Sequence, residues 1–502
     1  MIPEEIARLE RRKALADLNI NPYPAESHRS HMASDVLAHF KDLDASQEQA
    51  TVAGRITIIR KHGGLTFLRF IDASGEIQIV LQRDDVGVES YELFHKHADM
   101  GDFFEFTGPV MTTRNGEKSL RAQQFTWLSK TLAPLPEKFH GLTDTEKRYR
   151  HRYLDFLSNP SSLELAKSRS RMVAAIRSFL AEEGFDEVET PILVPIASGG
   201  AAKPFTTHHN ALHADLFLRV APELYLKRLL VGGMEKVYEF AKCFRNEGIS
   251  PQHNPEFTQI ELYWAYATKE DLMDHFERML PRVATAVTGG TKVELEGEEI
   301  NFAGPYARLT FHDAIFGETG IDIDAHKDEQ ELREVMIEHG IQEADRIIGY
   351  GELVDTLYKK TVRPKLIQPT FVTNYPAAMK PLAKKDDENP FYSASVQLLI
   401  NGSEVVNAFN ELNDPQEQKE RFEEQQELSD RGSDEAFAVD HEYVKALTHG
   451  MPPAAGYGIG IDRLAMMLTG QSSIKEVILF PTLKPEALET PSEEADQMQV
   501  TE

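Results

Sequence analysis

The densest run of side chains able to do chemistry lies between Val237 and Tyr266, VYEFAKCFRNEGISPQHNPEFTQIELYWAY. Val237–Phe244 and Phe257–Ala265 read as strands, and Gly248, Pro251 and Pro255 force a long loop between them. Alternate residues of a strand share a face. On the return strand one face is Thr258, Ile260, Leu262 and Trp264, an ordinary packing surface. The other is Phe257, Gln259, Glu261 and Tyr263. A carboxylate, an amide and a phenol are costly to bury without partners, so this stripe is either a solvent face or the wall of a ligand site. The loop's Arg245, Glu247 and His253 favour the ligand site.

A second hairpin is announced by Asn401-Gly402 between Gln397–Ile400 and Ser403–Leu412. A two-residue turn sets Leu399 opposite Glu404 and Gln397 opposite Val406, so Gln397 and Glu404 share a face. Asn407, Phe409 and Glu411 have the other parity. Both sets can line one pocket only if a bulge falls between Glu404 and Asn407. Glu261 and Glu411 would then give that pocket a negative end, suited to a cationic substrate, where an aspartate pocket needs a Lys or Arg. A third segment, Gly456–Arg463, offers glycines but neither the Lys-Ser/Thr ending of a P-loop nor a complete GxGxxG. Its glycines read as room for close strand–helix packing, with Arg463 in the first turn of the helix.

These segments need a scaffold, and the chain has length for two or three domains in its 502 residues. Val52–Ile59, Leu65–Ile71, Glu76–Leu81, Phe103–Val110 and Ser119–Leu128 are short β-rich runs punctuated by glycine pairs and turns. They predict a small five-stranded barrel, which serves as a structural β-domain or as an oligonucleotide binder. An amphipathic helix is expected over residues 2–18, before Pro22. Pro134 and Pro136 mark a linker, and a helix bearing Met172, Val173, Ile176, Phe179 and Leu180 stops at Gly184. A helix-rich insertion is expected over about 310–360, and an acidic, aperiodic tail from about Pro485 to Glu502.

Composition narrows the function classes. With 41 % hydrophobic and 27 % charged residues, the chain reads as globular. A net charge of −27 argues against a protein that coats DNA through many cation–phosphate contacts, though not against cations gathered on one surface. The sequence contains no apolar run of the roughly 18 residues that a membrane helix needs, and its charged start is unlike a secretory signal. A cytoplasmic location is expected. Cys243 is the single cysteine, so no intrachain disulfide forms and cysteine-held zinc is not expected. Cys243 itself is expected to pack in its strand.

Taken in order, the reactive segments resemble the signature motifs of class II aminoacyl-tRNA synthetases, and within that family the bacterial lysine-specific group, from about residue 50 to 485. Phe179–Pro191 is similar to the first motif, which in the family builds a dimer interface. Phe244-Arg245-Asn246-Glu247 with His253 and Phe257 is similar to the second, and Gly456–Arg463 to the third. Pro134–Leu142, Arg152–Asp155 and Ala221–Leu229 match in order between them.

The resemblance implies an α+β protein. An N-terminal helical extension (1–48) and an OB-fold anticodon-binding barrel (49–133) would lead through a linker (134–150) to a class II catalytic domain of antiparallel sheet flanked by helices (151–485), with a tail beyond. It implies ATP, L-lysine, Mg2+ and tRNA(Lys) as ligands, a homodimer, and no membrane or DNA partner. The implied reaction joins the lysine carboxylate to the ATP α-phosphate and then passes the acyl group to the tRNA 3′ end.

Family roles fall on matching positions. Arg245 and Arg463 are the implied catalytic residues, with Arg245 bridging carboxylate and α-phosphate. Phe257 would stack on adenine with Arg463 on its other side, and Glu247, His253 and Asn254 would hold the nucleotide. Glu404, with Gln397, would face magnesium. Glu223 would take the α-amino group and Asn407 the carboxylate, while Glu261, Tyr263 and Glu411 surround the ε-ammonium and Phe409 packs on the methylenes. In the barrel, Arg60, Phe67, Gln78 and Glu117 match anticodon-contacting positions.

The chain also departs from the family pattern. Gln397 stands where a second metal-facing glutamate is usual, which implies fewer or weaker magnesium ions. Lys203 replaces an arginine, and Thr373–Lys384 lacks an acidic residue near Ala378 and carries Lys380. The cationic run Lys147–Arg152 is either a solvated helix start or an acceptor-stem contact. The pair His208-His209 is expected to sit in a loop or on a tRNA-facing surface rather than in a metal site. Two other readings remain: an aspartate or asparagine synthetase, and a synthetase-like protein that charges no tRNA.

Overall fold

The computed structural model describes residues 2–135, 142–200, 202–430 and 439–486. Part of the expected linker and all but the start of the expected tail lie outside them. The chain divides into two compact units, Met1–Thr143 and Asp144–Glu502.

In the first unit the five expected runs are extended, and the last two are each broken once. They form β1 (Ala50–His62), β2 (Leu65–Ile71), β3 (Glu76–Gln82), β4 (Phe103–Gly108), β5 (Val110–Thr112), β6 (Lys118–Ala122) and β7 (Gln124–Ser129). The strand order is β5-β6-β3-β2-β1-β4-β7. Strand alternation sends Leu68, Phe70, Ile77 and Ile79 into a core with Phe104, Phe106 and Trp127. The N-terminal segment is not a separate extension. Leu15 of α1 (Pro3–Asp17), with Ala33, Val36, Phe40 and Leu43, belongs to that same core. A helix not expected from the sequence, α2 (Val88–His97), adds Tyr91 and Phe94 to it.

The second unit is built on an eight-stranded sheet. Its strands are β8 (Asp186–Glu187), β9 (Lys236–Phe244), β10 (Glu256–Ala265), β11 (Ala307–Thr310), β12 (Thr370–Thr373), β13 (Ser395–Ile400), β14 (Ser403–Asn410) and β15 (Ala454–Gly460). They lie in the order β11-β12-β13-β14-β15-β10-β9-β8, antiparallel except at the two edges. One sheet face packs against three helices. The first, α3 (Pro160–Glu182), carries Met172, Ile176, Phe179 and Leu180 into the core, and Gly184 beyond its end takes the left-handed conformation (φ +80°) that favours glycine. The others are α5 (Lys269–Thr288), capped by Thr268, and α6 (Ile461–Leu468); between α3 and α5 in the chain lies α4 (Glu223–Val231). The insertion expected near 310–360 is helical and has its own core around Leu353, Leu357 and Tyr358.

The cationic run at 147–152 lies in and just after a short helix, Thr145–Arg150, with Lys147 exposed, but its arginines are engaged within the unit rather than solvated. Arg148 pairs with Asp155 and Glu476, Arg150 with Glu146, and Arg152, 2 % exposed, donates to the carbonyls of Lys475, Ile478 and Leu479. These arginines fasten the segment after α6 to the start of the unit, because carbonyls at a chain turn need donors that the backbone there does not supply.

Candidate active site

The other face of the large sheet opens into a cavity of about 590 Å³. Its floor follows from strand parity. Ile260 and Leu262 of β10 enter the helix-covered core, so Gln259, Glu261 and Tyr263 point the opposite way. The neighbouring β15 alternates in the same sense. Tyr457 and Ile459 are core residues, while Gly456, Gly458 and Gly460 lie opposite Tyr263, Glu261 and Gln259. The glycines leave the room those side chains occupy. A Cβ at Gly456 would sit 2.5 Å from both Glu411 Oε1 and the Tyr263 ring.

The hairpin β13–β14 contains the required bulge. Leu398 faces Val406 and Leu399 faces Glu404, so Val405 is the extra residue. Gln397 therefore pairs with Asn407, not with the Val406 that an unbroken two-residue hairpin gives. The bulge returns Glu404 to the face that carries Asn407 and Phe409. Gln397, Glu404, Asn407 and Phe409 all line the cavity. Asn401 and Gly402 in the turn have φ of 48° and 69°, as the Asn-Gly signal requires.

One end of the cavity is an acidic wall. Glu223, at the start of α4, is 8 % exposed, Glu261 6 % and Glu411 1 %. Glu261 accepts from Gln259 Nε2 at 2.6 Å and from the Tyr263 hydroxyl at 3.1 Å. Behind the wall lies a residue that the sequence reading passed over, Lys227. Its fully buried ammonium is 2.6 Å from Glu223 and 2.5 Å from Glu411, under the rings of Phe409, Tyr263 and Tyr443. The signal was present, since Glu223 and Lys227 are four apart on one helix. Glu411, expected to open onto the cavity, is turned to Lys227 and is not among the residues lining it.

Burial dominates the protonation of this wall. It raises Glu261, with the nearby Glu223 carboxylate adding to the effect, and raises Glu411 to about 8 against the pull of Lys227. Lys227 is itself held charged, because Glu223 and Glu411 outweigh its desolvation. Glu239, also buried, is matched by Arg219 at 2.7 Å. With all three carboxylates ionised, one ammonium leaves the wall two positive charges short, and the raised pKa values are the protein's response to that deficit.

The opposite end is cationic. Arg245 lies over the Phe257 ring at 5.1 Å, and its buried Nε has no hydrogen-bond partner among the described residues. An orphaned guanidinium nitrogen costs about 1–3 kcal/mol unless a ligand supplies the acceptor. Arg463, in the first turn of α6, reaches His253 Nε2 at 2.9 Å, while His253 Nδ1 meets Ser250 Oγ. Burial, then the Arg463 charge, depresses the His253 pKa, so the imidazole is the neutral acceptor. Glu247 also lines the cavity. Asn254, expected on the nucleotide, lines the cavity, and both ends of its amide are also bonded to the backbone of Glu256 and Thr482, which braces the loop.

In the first unit, Arg60 and Phe67 are paired across β1 and β2, and Gln78 faces Arg69 across β2 and β3, so all three share the face away from the core. Gln78 donates to Ser119 at 2.8 Å, and Glu117 is exposed just before β6. Cys243 is buried in β9, and burial raises its thiol pKa. His208 and His209 are exposed on a short strand, Thr206–His209, rather than in a loop, and His208 meets Asp215.

Residues 144–484 match the family described as class II tRNA synthetases (D, K and N), and residues 50–128 match the OB-fold nucleic acid binding domain. Among curated proteins, the chain is 48 % identical to a lysine--tRNA ligase of Carboxydothermus hydrogenoformans, over 95 % of this chain and 97 % of that one. It is 48 % identical to the lysine--tRNA ligase of Pelotomaculum thermopropionicum, over 96 % and 95 %, and 44 % identical to that of Enterococcus faecalis, over 95 % and 97 %.

Proposed function

This chain belongs to the class II tRNA synthetases (D, K and N), and we infer that the two charged ends of its cavity are where lysine and ATP are held for reaction. It is an ATP-dependent ligase that activates lysine and charges tRNA. A carboxylate oxygen of lysine attacks the α-phosphorus, the bond to the β-phosphate oxygen breaks, and pyrophosphate leaves. A terminal hydroxyl of tRNA then attacks the acyl carbon and AMP departs. Neither step needs a protein nucleophile, so catalysis rests on alignment and on charge placed in advance.

The observation that carries the assignment is the unmatched charge of the acidic wall. Lysine brings two ammonium groups, the number the wall lacks. Glu223 takes the α-ammonium, and Glu261 with Tyr263 takes the ε-ammonium. Phe409 covers the methylenes, and Glu411 acts through Lys227. Arg245 binds the carboxylate and the α-phosphate together, since its planar fork serves two acceptors. Phe257 and Arg463 hold adenine, with Glu247 and His253 at its rim. A neutral or acidic amino acid leaves buried carboxylates without a cation, which supports lysine over aspartate or asparagine.

A magnesium ion held in this cavity would supply charge neutralisation for the phosphates. Glu404 offers the hard oxygen such an ion takes. Gln397 does not fit a paired-carboxylate site: it is neutral, and its Nε2 is 3.5 Å from Asn407 Oδ1. In the barrel, Arg60, Phe67, Gln78 and Glu117 are assigned to the anticodon, where stacking on Phe67 contributes roughly 1–3 kcal/mol per base. A homodimer is supported by Ile192 and Leu193, exposed apolar side chains that follow the first motif. A cytoplasmic location is proposed from the likeness to lysine--tRNA ligases. No helix among the described residues is long and apolar enough to cross a membrane.

Pyrophosphate exchange into ATP, with each amino acid supplied singly, tests the reading. Lysine alone is expected to drive it. Exchange driven by aspartate or asparagine and not by lysine would overturn it.

A further inference from the structure

Beside Glu404 the cavity holds a cation that no step above uses. Lys380, on the segment after β12, is half-buried and lines the cavity with Gln397, Glu404 and Asn407. Its Nζ donates to Asn407 Oδ1 at 2.7 Å, and the ammonium lies 5.0 Å from the centre of the Tyr375 ring. Both partners are neutral, and Lys380 forms no ion pair among the described residues. An ammonium has three donors. At least one is therefore left for an acceptor in the cavity, and burial, which lowers the Lys380 pKa, makes a further acceptor there favourable. Glu404, Lys380, Arg463 and Asp355 all line the cavity; Glu404 is the first opposite charge felt by both Lys380 and Arg463, and Asp355 the second felt by Lys380.

The contact also fixes Asn407. Its carbonyl oxygen receives Lys380 and lies toward Gln397 Nε2, so the amide NH2 is the end left for an anionic ligand. The three side chains thus form one arrangement. Gln397 removes a negative charge where two carboxylates would gather metal, and Lys380 adds a positive one at the same place. A second divalent ion there would meet an ammonium instead of a carboxylate.

We propose that Lys380 is a phosphate-binding residue of this ligase, supplying from the chain the positive charge that a second metal ion supplies at a paired-carboxylate site, while it orients Asn407 toward the lysine carboxylate. The assignment rests on the reading of the cavity as the lysine–ATP site. It makes ATP binding depend on one magnesium held by Glu404 and on one fixed ammonium.

Equilibrium binding of ATP to the full-length protein, repeated across magnesium concentrations, tests this with four variants. Lys380→Met is expected to weaken ATP binding roughly tenfold or more at every magnesium concentration, the loss of one charge-assisted contact. Lys380→Arg keeps the charge and stays within about threefold of the parent on the same scale. Gln397→Glu alone gains no magnesium, because the new carboxylate pairs with Lys380. The double variant K380S/Q397E gains one, read as a steeper dependence of ATP affinity on magnesium. Parental ATP affinity in Lys380→Met, or a steeper dependence in Gln397→Glu alone, overturns the proposal, and the second result stands even if Lys380→Met fails to fold. Lysine-dependent exchange by the parent separates the two levels. Its absence sinks the functional reading and this proposal together, whereas its presence with either contrary binding result sinks only the proposal.

Discussion

The two ends of the cavity solve opposite problems. At the acidic wall the carboxylates are buried and each is paired within the protein, Glu261 with Gln259 and Tyr263, and Glu223 and Glu411 with Lys227, although Glu411 Oε1 and the Tyr443 hydroxyl have no hydrogen-bond partner among the described residues. At the cationic end Arg245 keeps a buried nitrogen without a partner, and Lys380 donates to the neutral Asn407 and forms no ion pair among the described residues. The wall is built before substrate arrives, and its demand is for charge. The other end is held open, and its demand is for acceptors. An amino acid is therefore selected at a rigid site, where a wrong charge is expensive. The phosphates are gripped by donors whose satisfaction waits for the reacting groups.

That contrast can be broken most severely from behind the wall. Lys227→Met leaves three buried carboxylates with no internal cation. It should cost roughly 3–5 kcal/mol of stability, seen as a large drop in melting temperature that added lysine partly restores. An unchanged melting temperature would show that the wall does not depend on Lys227. Arg245→Gln attacks the other end. There the fold should survive while lysine-dependent exchange falls about 10²–10³-fold, because the lost contacts form with the reacting groups. A loss of stability in place of activity would erase the distinction between the two ends.

Glu261→Gln gives a smaller effect of a different kind. The amide oxygen still accepts from Tyr263, but the charge is gone. The KM for lysine should therefore rise on the order of ten- to a hundredfold, with kcat changed much less. Equal falls in kcat and kcat/KM would move Glu261 from binding to chemistry.

The mildest test is pH. The pKa of Glu411 is raised to about 8 and that of Glu261 is also raised, with Glu223, Lys227, Tyr263 and Tyr443 as the charged and titratable groups that face them. Groups with raised pKa hold protons that a cationic ligand must displace. Lysine affinity should then increase as pH rises toward about 8 and level off above it. Calorimetry in buffers of different ionisation enthalpy should register proton release on lysine binding; no release would contradict the burial argument.

Much of the site was legible because strand parity is a local property. The split between Ile260–Leu262 and Glu261–Tyr263 needs only a period of two, and the need for a bulge before Asn407 follows from the same count. The bulge's effect on pairing was less accessible, since inserting Val405 re-pairs Gln397 with Asn407. In the barrel the strand runs were plain, but α2 was not, and the first helix's membership in the barrel core depends on contacts far apart in sequence. The arginines after residue 147 looked like a surface feature because their carbonyl partners lie more than three hundred residues away.

The sequence by itself settled which residue types could meet: alternating acids and phenols, an Asn-Gly hairpin, glycines at every second position of β15, and a substrate that had to be cationic. Those are consequences of backbone periodicity and charge. Only the tertiary structure decided that Glu411 serves Lys227, that Asn254 braces a loop, and that Lys380 stands beside Glu404. Each of these is a choice of partner. In a low-dielectric interior that choice is governed by which opposite charge or acceptor packing brings within a few ångströms, and no local pattern encodes it.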